Sequence, residues 1–217
     1  MEDTLLRCPI FCTAEIPISM MCFSLALVLI AYSMTQTLDY FLQCTEKYLI
    51  EVDTSEPPEP MSESIVFIDS KDITTITDGT SPPITSCPTA FSGHSIHEVH
   101  GWFETNISQP RANGYLHHCY LILDDKSAED DTCIFVCTLD SAPGEIKSLR
   151  CGFEIALQTA HVCGIGGDSI EEGVMGSFMR SGVTMTKENL KLARNRGRYI
   201  ENGEVKVDQA WKDFINW

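Results

Sequence analysis

The ten cysteines contain no C-x-x-C pair, which removes the zinc ribbon and the thioredoxin-type redox motif from consideration. Basic side chains are scarce: 15 Lys and Arg stand against 31 Asp and Glu, a net charge of −16. A field of that sign repels nucleic acid and anionic membranes over long range. No segment recurs at a period of about 20–50 residues, so solenoids and propellers lack support. With 14 Gly and 10 Pro, both ordinary counts for 217 residues, collagen-like repetition and wholesale disorder are excluded as well. No assembled catalytic motif is visible.

What is present suits one globular domain plus an appendage, with 43% hydrophobic and 21% charged residues. The charge is unevenly placed. Residues 1–179 hold seven basic and 26 acidic side chains (net −19), and residues 180–217 hold eight and five (net +3). Near the N-terminus, residues 18–34 (ISMMCFSLALVLIAYSM) are uncharged and mostly apolar, a helix of roughly 25 Å at 1.5 Å per residue. Three readings fit it: a single-pass anchor, a signal peptide with Ala31 and Ser33 at cleavage-site spacing, or a buried soluble helix. Leu38, Phe41, Leu42, Thr45, Leu49 and Val52 then follow at helical steps. The Pro-, Ser- and Glu-rich stretch 54–64 reads as a linker between this segment (1–53) and a domain over 65–217.

Within that domain, SIVFID (64–69) is a short β-rich run. Ser95 and Glu98 form a capping box for a helix running to about Asn106. GYLHHCYLILD (114–124), the acidic turn DKSAEDD and TCIFVCTL (132–139) predict a hairpin, and EIKSLRCGF a third strand. FEIALQTAHVC (153–163) predicts a helix with Gly164 as a left-handed cap. Another starts near Asp168-Ser169 and ends at Gly182, and Thr186 caps KENLKLARNR, closed by Gly197. In the last segment Val207, Trp211 and Phe214 fall on one helical stripe. The stretch LILDDKSAEDDTCIFVCTL followed by LRCGFEIAL resembles an uncharacterised fungal α+β domain family over about residues 115–175. That resemblance implies strand, acidic turn, strand and amphipathic helix, and it implies no activity and no functional residue.

Candidate sites are few. His94, His97 and His100 invite a metal, but on one helix the outer pair stands about 9 Å apart along the axis, so at most His97 and His100 share an ion. If Leu123 pairs with Thr132, His118 lies opposite Cys137, and a histidine beside a thiol can activate it as a nucleophile. Asp124, Asp125, Glu129, Asp130 and Asp131 crowd one turn without calcium-loop spacing. The glycine-rich run 163–169 follows a helix, where dinucleotide fingerprints follow a strand. Lys187, Lys191, Arg194 and Arg198 run along one side of the late helix as a docking stripe for an anion or an acidic partner. Asn106 heads a glycosylation sequon that matters only in a lumenal domain.

The sequence therefore predicts an α+β fold: a central antiparallel, hairpin-based sheet packed by three or four helices, preceded by an N-terminal apolar and amphipathic helical segment. Two functions stay open. One is a binding or protein-interaction module. The other is a small-molecule lyase, isomerase or hydrolase using histidine with an acid or thiol in an apolar pocket. Convergence of His97, His100, His118, His161 and Cys137 separates the two. No cofactor and no nucleic-acid partner is implied. The partner is a protein or a small molecule, with membrane association through residues 18–34 and a cytoplasmic location both open.

Overall fold

The computed structural model describes residues 6–14, 34–47, 64–76, 79–81, 83–84, 89–108, 114–138, 145–164 and 170–214. Strand β1 (Cys8–Cys12) is followed by helix α1 (34–47), β2 (Ile65–Phe67) and α2 (Ile96–Asn106). Then come β3 (Cys119–Leu123), the short α3 (Ser127–Asp130), β4 (Thr132–Cys137), β5 (Lys147–Gly152), α4 (Phe153–Gly164), α5 (Ile170–Ser181) and α6 (Lys187–Arg194). The chain ends in β6 (Arg198–Glu201), β7 (Glu204–Val207) and α7 (Gln209–Lys212).

The fold is mixed α and β, around a five-stranded sheet of order β2-β1-β3-β4-β5. Strand β1 runs parallel to both β2 and β3, and β4 runs antiparallel to β3 and β5. The sheet is thus mixed, where the sequence pattern suggested a central antiparallel, hairpin-based sheet. Two parallel crossovers build its first half, one from β1 out to the edge strand β2 and one from β2 back past β1 to β3. Even-numbered residues of β1 (Cys8, Ile10, Cys12) face a core shared with Leu38, Phe41 and Leu42 of α1 and with α4 and α5. Phe11 faces the opposite core with Val99 and Phe103 of α2. Alternation in a strand sends neighbours to opposite faces, so a strand apolar on both faces is the one covered by helices on both sides.

Pro9 is the surprise in β1, since proline cannot donate to a ladder and is rare in internal strands. Its place explains it. The β1–β3 ladder has a bridge at Arg7–Tyr115 and resumes at Ile10–Leu121, and Pro9 lies in the gap. The loop before α2 is tied to the carboxyl end of β1, the end at which open α/β sheets commonly seat ligands. Thr89 Oγ1 donates to the Cys12 carbonyl (2.7 Å), the Gly93 N–H to Thr13 (3.0 Å) and Ser92 Oγ to Ala14 (2.8 Å).

The 54–64 stretch was expected to divide two units. Residues 48–63 lie outside the described residues; the described residues on either side share one core, in which Phe41 meets Phe153 edge to face with centroids 5.2 Å apart. Residues 15–33, which include most of the apolar run 18–34, also lie outside them, and among the described residues no helix is long and apolar enough to cross a membrane.

Local signals were followed closely in several places. Ser95 caps α2 with Glu98 completing the box, Thr186 caps α6, and Gly182 (φ 70°) ends α5. Gly164 differs: it is the last residue of α4 and shows no positive φ, and a Cβ there would lie 2.5 Å from the buried Leu116 Cδ2. Close packing, not a left-handed cap, favours glycine at this position. Val207 also departs from its expected helical stripe, since it belongs to β7, while Trp211 and Phe214 pack on Phe178 with centroids 6.0 and 4.8 Å away.

Candidate functional site

The residues that would assemble an enzyme site are scattered. His97 is exposed on α2. His100 turns toward the sheet, its Nδ1 3.2 Å from the Tyr120 hydroxyl, and burial is the main force holding that phenol well above its ordinary pKa. His161 is on α4, across the sheet from α2. Among the described residues, neither His97 nor His100 belongs to a three-ligand group. His94 Nε2 lies instead 2.9 Å from Lys71 Nζ.

The proposed His118–Cys137 pair is corrected by one register position. The strands pair Cys119 with Cys137 and Ile122 with Ile134, and a one-residue slip turns every side chain to the other face. His118 precedes β3 and is exposed; its carbonyl accepts from the Thr138 N–H at 2.8 Å. The cause lies in the turn, where α3 and Asp131, at φ 55°, set the count of residues between the strands.

That acidic turn serves structure. Arg150 forms an ion pair with Asp124, sits 3.8 Å from Asp130, and donates to Thr132 Oγ1 at 2.7 Å. Ser127 Oγ donates to Asp124 Oδ1 at 3.0 Å. Two of the five carboxylates are therefore held by one guanidinium. Asn106, at the end of α2, donates its Nδ2 to the Trp102 carbonyl at 2.8 Å, so the atom a glycan would take is already engaged. Of the glycine-rich run 163–169, residues 165–169 lie outside the described residues.

The basic stripe is divided. Lys187, Lys191 and Arg194 belong to α6, but Arg198 opens β6, because Gly197 (φ 73°) turns the chain out of the helix. Residues 190–200 carry four cations and no carboxylate. They lead into a two-stranded ribbon, β6–β7, in which every residue is exposed. Asn202 (φ 53°) and Gly203 (φ 81°) form its turn, the Asn-Gly pair that suits a tight hairpin. This ribbon escaped the sequence reading, and Asn202-Gly203 between alternating apolar residues was its signal.

Cross-strand pairing of Arg198 with Val207 and of Ile200 with Val205 puts these four side chains on one face, while the Lys206–Glu201 ion pair lies on the other. Ile200 is 76% exposed, Val205 70% and Val207 51%. Arg194, Arg196, Arg198, Tyr199, Ile200 and Val205 line one concave surface at the ribbon's base.

A second constellation lies inside the molecule. Cys119, Cys137 and Cys163 are buried, and their sulfurs all lie within 4.8 Å of one another. The Cys119 and Cys137 sulfurs are 3.9 Å apart, and Cys163 Sγ is 3.6 Å from Met175 Sδ. Hydrogen bonding to Cys137 and Cys163, with burial, holds the Cys119 thiol well above the ordinary range. The bond from Cys119 lowers Cys163, but the bond to Cys137 and burial outweigh it and push that thiol up to about 12. Both stay protonated at neutral pH, which makes poor nucleophiles. No family model matches the chain, and neither a curated protein nor a solved structure matches it.

Proposed function

We propose that the chain is a protein-interaction module whose β6–β7 ribbon, with the arginines at its base, docks a polypeptide segment rich in both acidic and aliphatic residues. The observation that carries this reading is the uncovered aliphatic face of the ribbon, with Ile200, Val205 and Val207 each at least half exposed. A lone two-stranded ribbon is marginally stable in water. Covering each such side chain is worth about 1.5–3 kcal/mol at most, and a partner that supplies apolar side chains recovers it.

Charge selects the rest of the partner. Arg194, Arg196 and Arg198 are exposed beside that face, and guanidinium forks suit carboxylates. Screening over about 8 Å at physiological salt lets this local cluster act despite the negative remainder of the chain. The aliphatic face of the ribbon, with Ile200, Val205 and Val207 and with Tyr199 turned to the other face, and the chain's net charge of −16 favour a polypeptide over single-stranded nucleic acid. The enzyme reading has less support, because His97 and His100 on α2 lie across the sheet from His161 and Cys137, and His118 is exposed ahead of β3.

The test is fluorescence anisotropy of a labelled amphipathic peptide rich in leucine and glutamate, titrated with the full chain at low and high salt. Binding is expected to weaken with salt, to weaken in Arg196→Glu/Arg198→Glu, and to fail in Ile200→Asp/Val205→Asp. Binding that survives Ile200→Asp/Val205→Asp overturns the reading. So does a sedimentation profile in which the ribbon is already occupied by a second copy of the chain.

A further inference from the structure

We infer that Cys119, Cys137 and Cys163, with the Met175 thioether beside them, form a binding site for monovalent copper. The inference is independent of the docking ribbon and rests on four sulfurs drawn from four elements: β3, β4, α4 and α5. Cys119 and Cys137 are directly opposite on neighbouring antiparallel strands. The hydrogen bond from Thr138 N–H to the His118 carbonyl makes the next pair in the ladder, Cys119–Cys137, a non-hydrogen-bonded one, whose side chains approach most closely. Helix α4 then lowers Cys163 onto that pair, and α5 brings Met175 to Cys163.

The distances match a three-sulfur ion site. At a metal–sulfur bond of about 2.3 Å, ligand sulfurs stand about 4.0 Å apart in a trigonal site and about 3.8 Å in a tetrahedral one. The Cys119–Cys137 separation is 3.9 Å, and the whole trio falls within 4.8 Å. Closing the remaining gap needs only side-chain rotation of a few tenths of an ångström to somewhat under one.

Donor chemistry selects the ion. Among the described residues the group holds no carboxylate or imidazole, which disfavours hard cations, and soft thiolate with thioether donors selects monovalent copper. Zinc takes cysteine, histidine and carboxylate ligands, to a closed set of four, and a thioether is not among them. Simple crowding of cysteines in the core does not account for the trio. Cys133 and Cys151 are also buried and directly opposite each other, yet among the described residues the only three-ligand group is this one.

Charge and protons balance without an electron moving. Each copper–thiolate bond replaces an S–H bond and releases its proton to solvent, so affinity rises with pH. Cys137 and Cys163 retain 6% and 5% exposure, the side from which an ion reaches the group.

The experiment is an anaerobic titration of the reduced full chain with cuprous ion against a chromophoric copper(I) chelator, followed by X-ray absorption of the copper form. One equivalent retained in a sulfur-only shell is expected. Cys119→Ser, Cys137→Ser and Cys163→Ser should each weaken retention at least about 10–100-fold, since even outer-shell partners of a metal site are worth that much. Cys133→Ser, equally buried but outside the group, should keep the full equivalent and controls for damage to the core. Loss of all copper to the chelator overturns the site, as does retention unchanged in the three variants or a shell of nitrogen and oxygen. Zinc that competes copper away overturns the choice of ion.

Discussion

At the scale of single residues, most of what sequence predicted was a matter of caps. Ser95 accepts from the Glu98 N–H at 3.3 Å, and Glu98 Oε2 accepts from the Ser95 N–H and hydroxyl, each at 2.8 Å. All of these partners are within three residues, so the pattern alone predicts the contact. Ser95→Ala should cost about 1 kcal/mol, read as a lower urea midpoint with an unchanged slope. Its pH dependence has a definite sign. The Ser95 N–H, then its hydroxyl, hold the Glu98 carboxyl below its ordinary value, so the contribution is complete above the unfolded pKa of about 4.3 and is lost as pH falls through the lower folded value. Ser95→Ala keeps the backbone N–H and removes only the hydroxyl's share of this hold, so the gap between wild type and Ser95→Ala should narrow by that share from about pH 5 to about pH 3. An unchanging gap counts against the bond from the Ser95 hydroxyl to the Glu98 carboxylate. The buried thiols were not legible at this scale, because a cysteine reads as a small hydrophobe until its neighbours are known.

At the scale of elements, β4, β5, α2, α4 and α6 were legible from periodicity and caps, and register was not. Placing Cys119 rather than His118 opposite Cys137 depended on the conformation of residues 124–131, including the left-handed Asp131, which composition does not specify. The β6–β7 ribbon was overlooked although Asn202-Gly203 announced it. Its seating rests on Gly197, where a Cβ would lie 2.2 Å from the Asp208 carbonyl oxygen and 2.9 Å from the Lys212 nitrogen. Both are backbone atoms and cannot rotate away. Gly197→Ala should cost more than the roughly 1–2 kcal/mol of a left-handed alanine and speed proteolysis between residues 198 and 207. Phe135→Ala, at a fully buried position in the middle of β4, should cost about 3–5 kcal/mol, seen as a large fall in the thermal midpoint.

At the scale of the whole molecule, the decisive element is the one that looked least like a strand. The five residues CPIFC of β1 contain a proline and carry no turn signal, yet they lie between β2 and β3. A chain started at Met61 lacks β1 and α1, which strips β2 of its partner and exposes an edge of β3. Such a chain should aggregate or lose its near-ultraviolet dichroism, whereas a dispersed nuclear magnetic resonance spectrum from it would show that the residues after the linker fold alone. By itself the sequence determined what is settled within a few residues: caps, helix periods, the acidic turn and the mixed α and β character, because hydrogen bonds and side-chain periodicity there are local. Only the tertiary structure decided the parallel pairing of β1, the register that brings three thiols together and the ribbon left uncovered. Those depend on which distant segments bury one another's apolar faces, a choice that many strand orders satisfy equally in the sequence and that packing of the complete chain resolves.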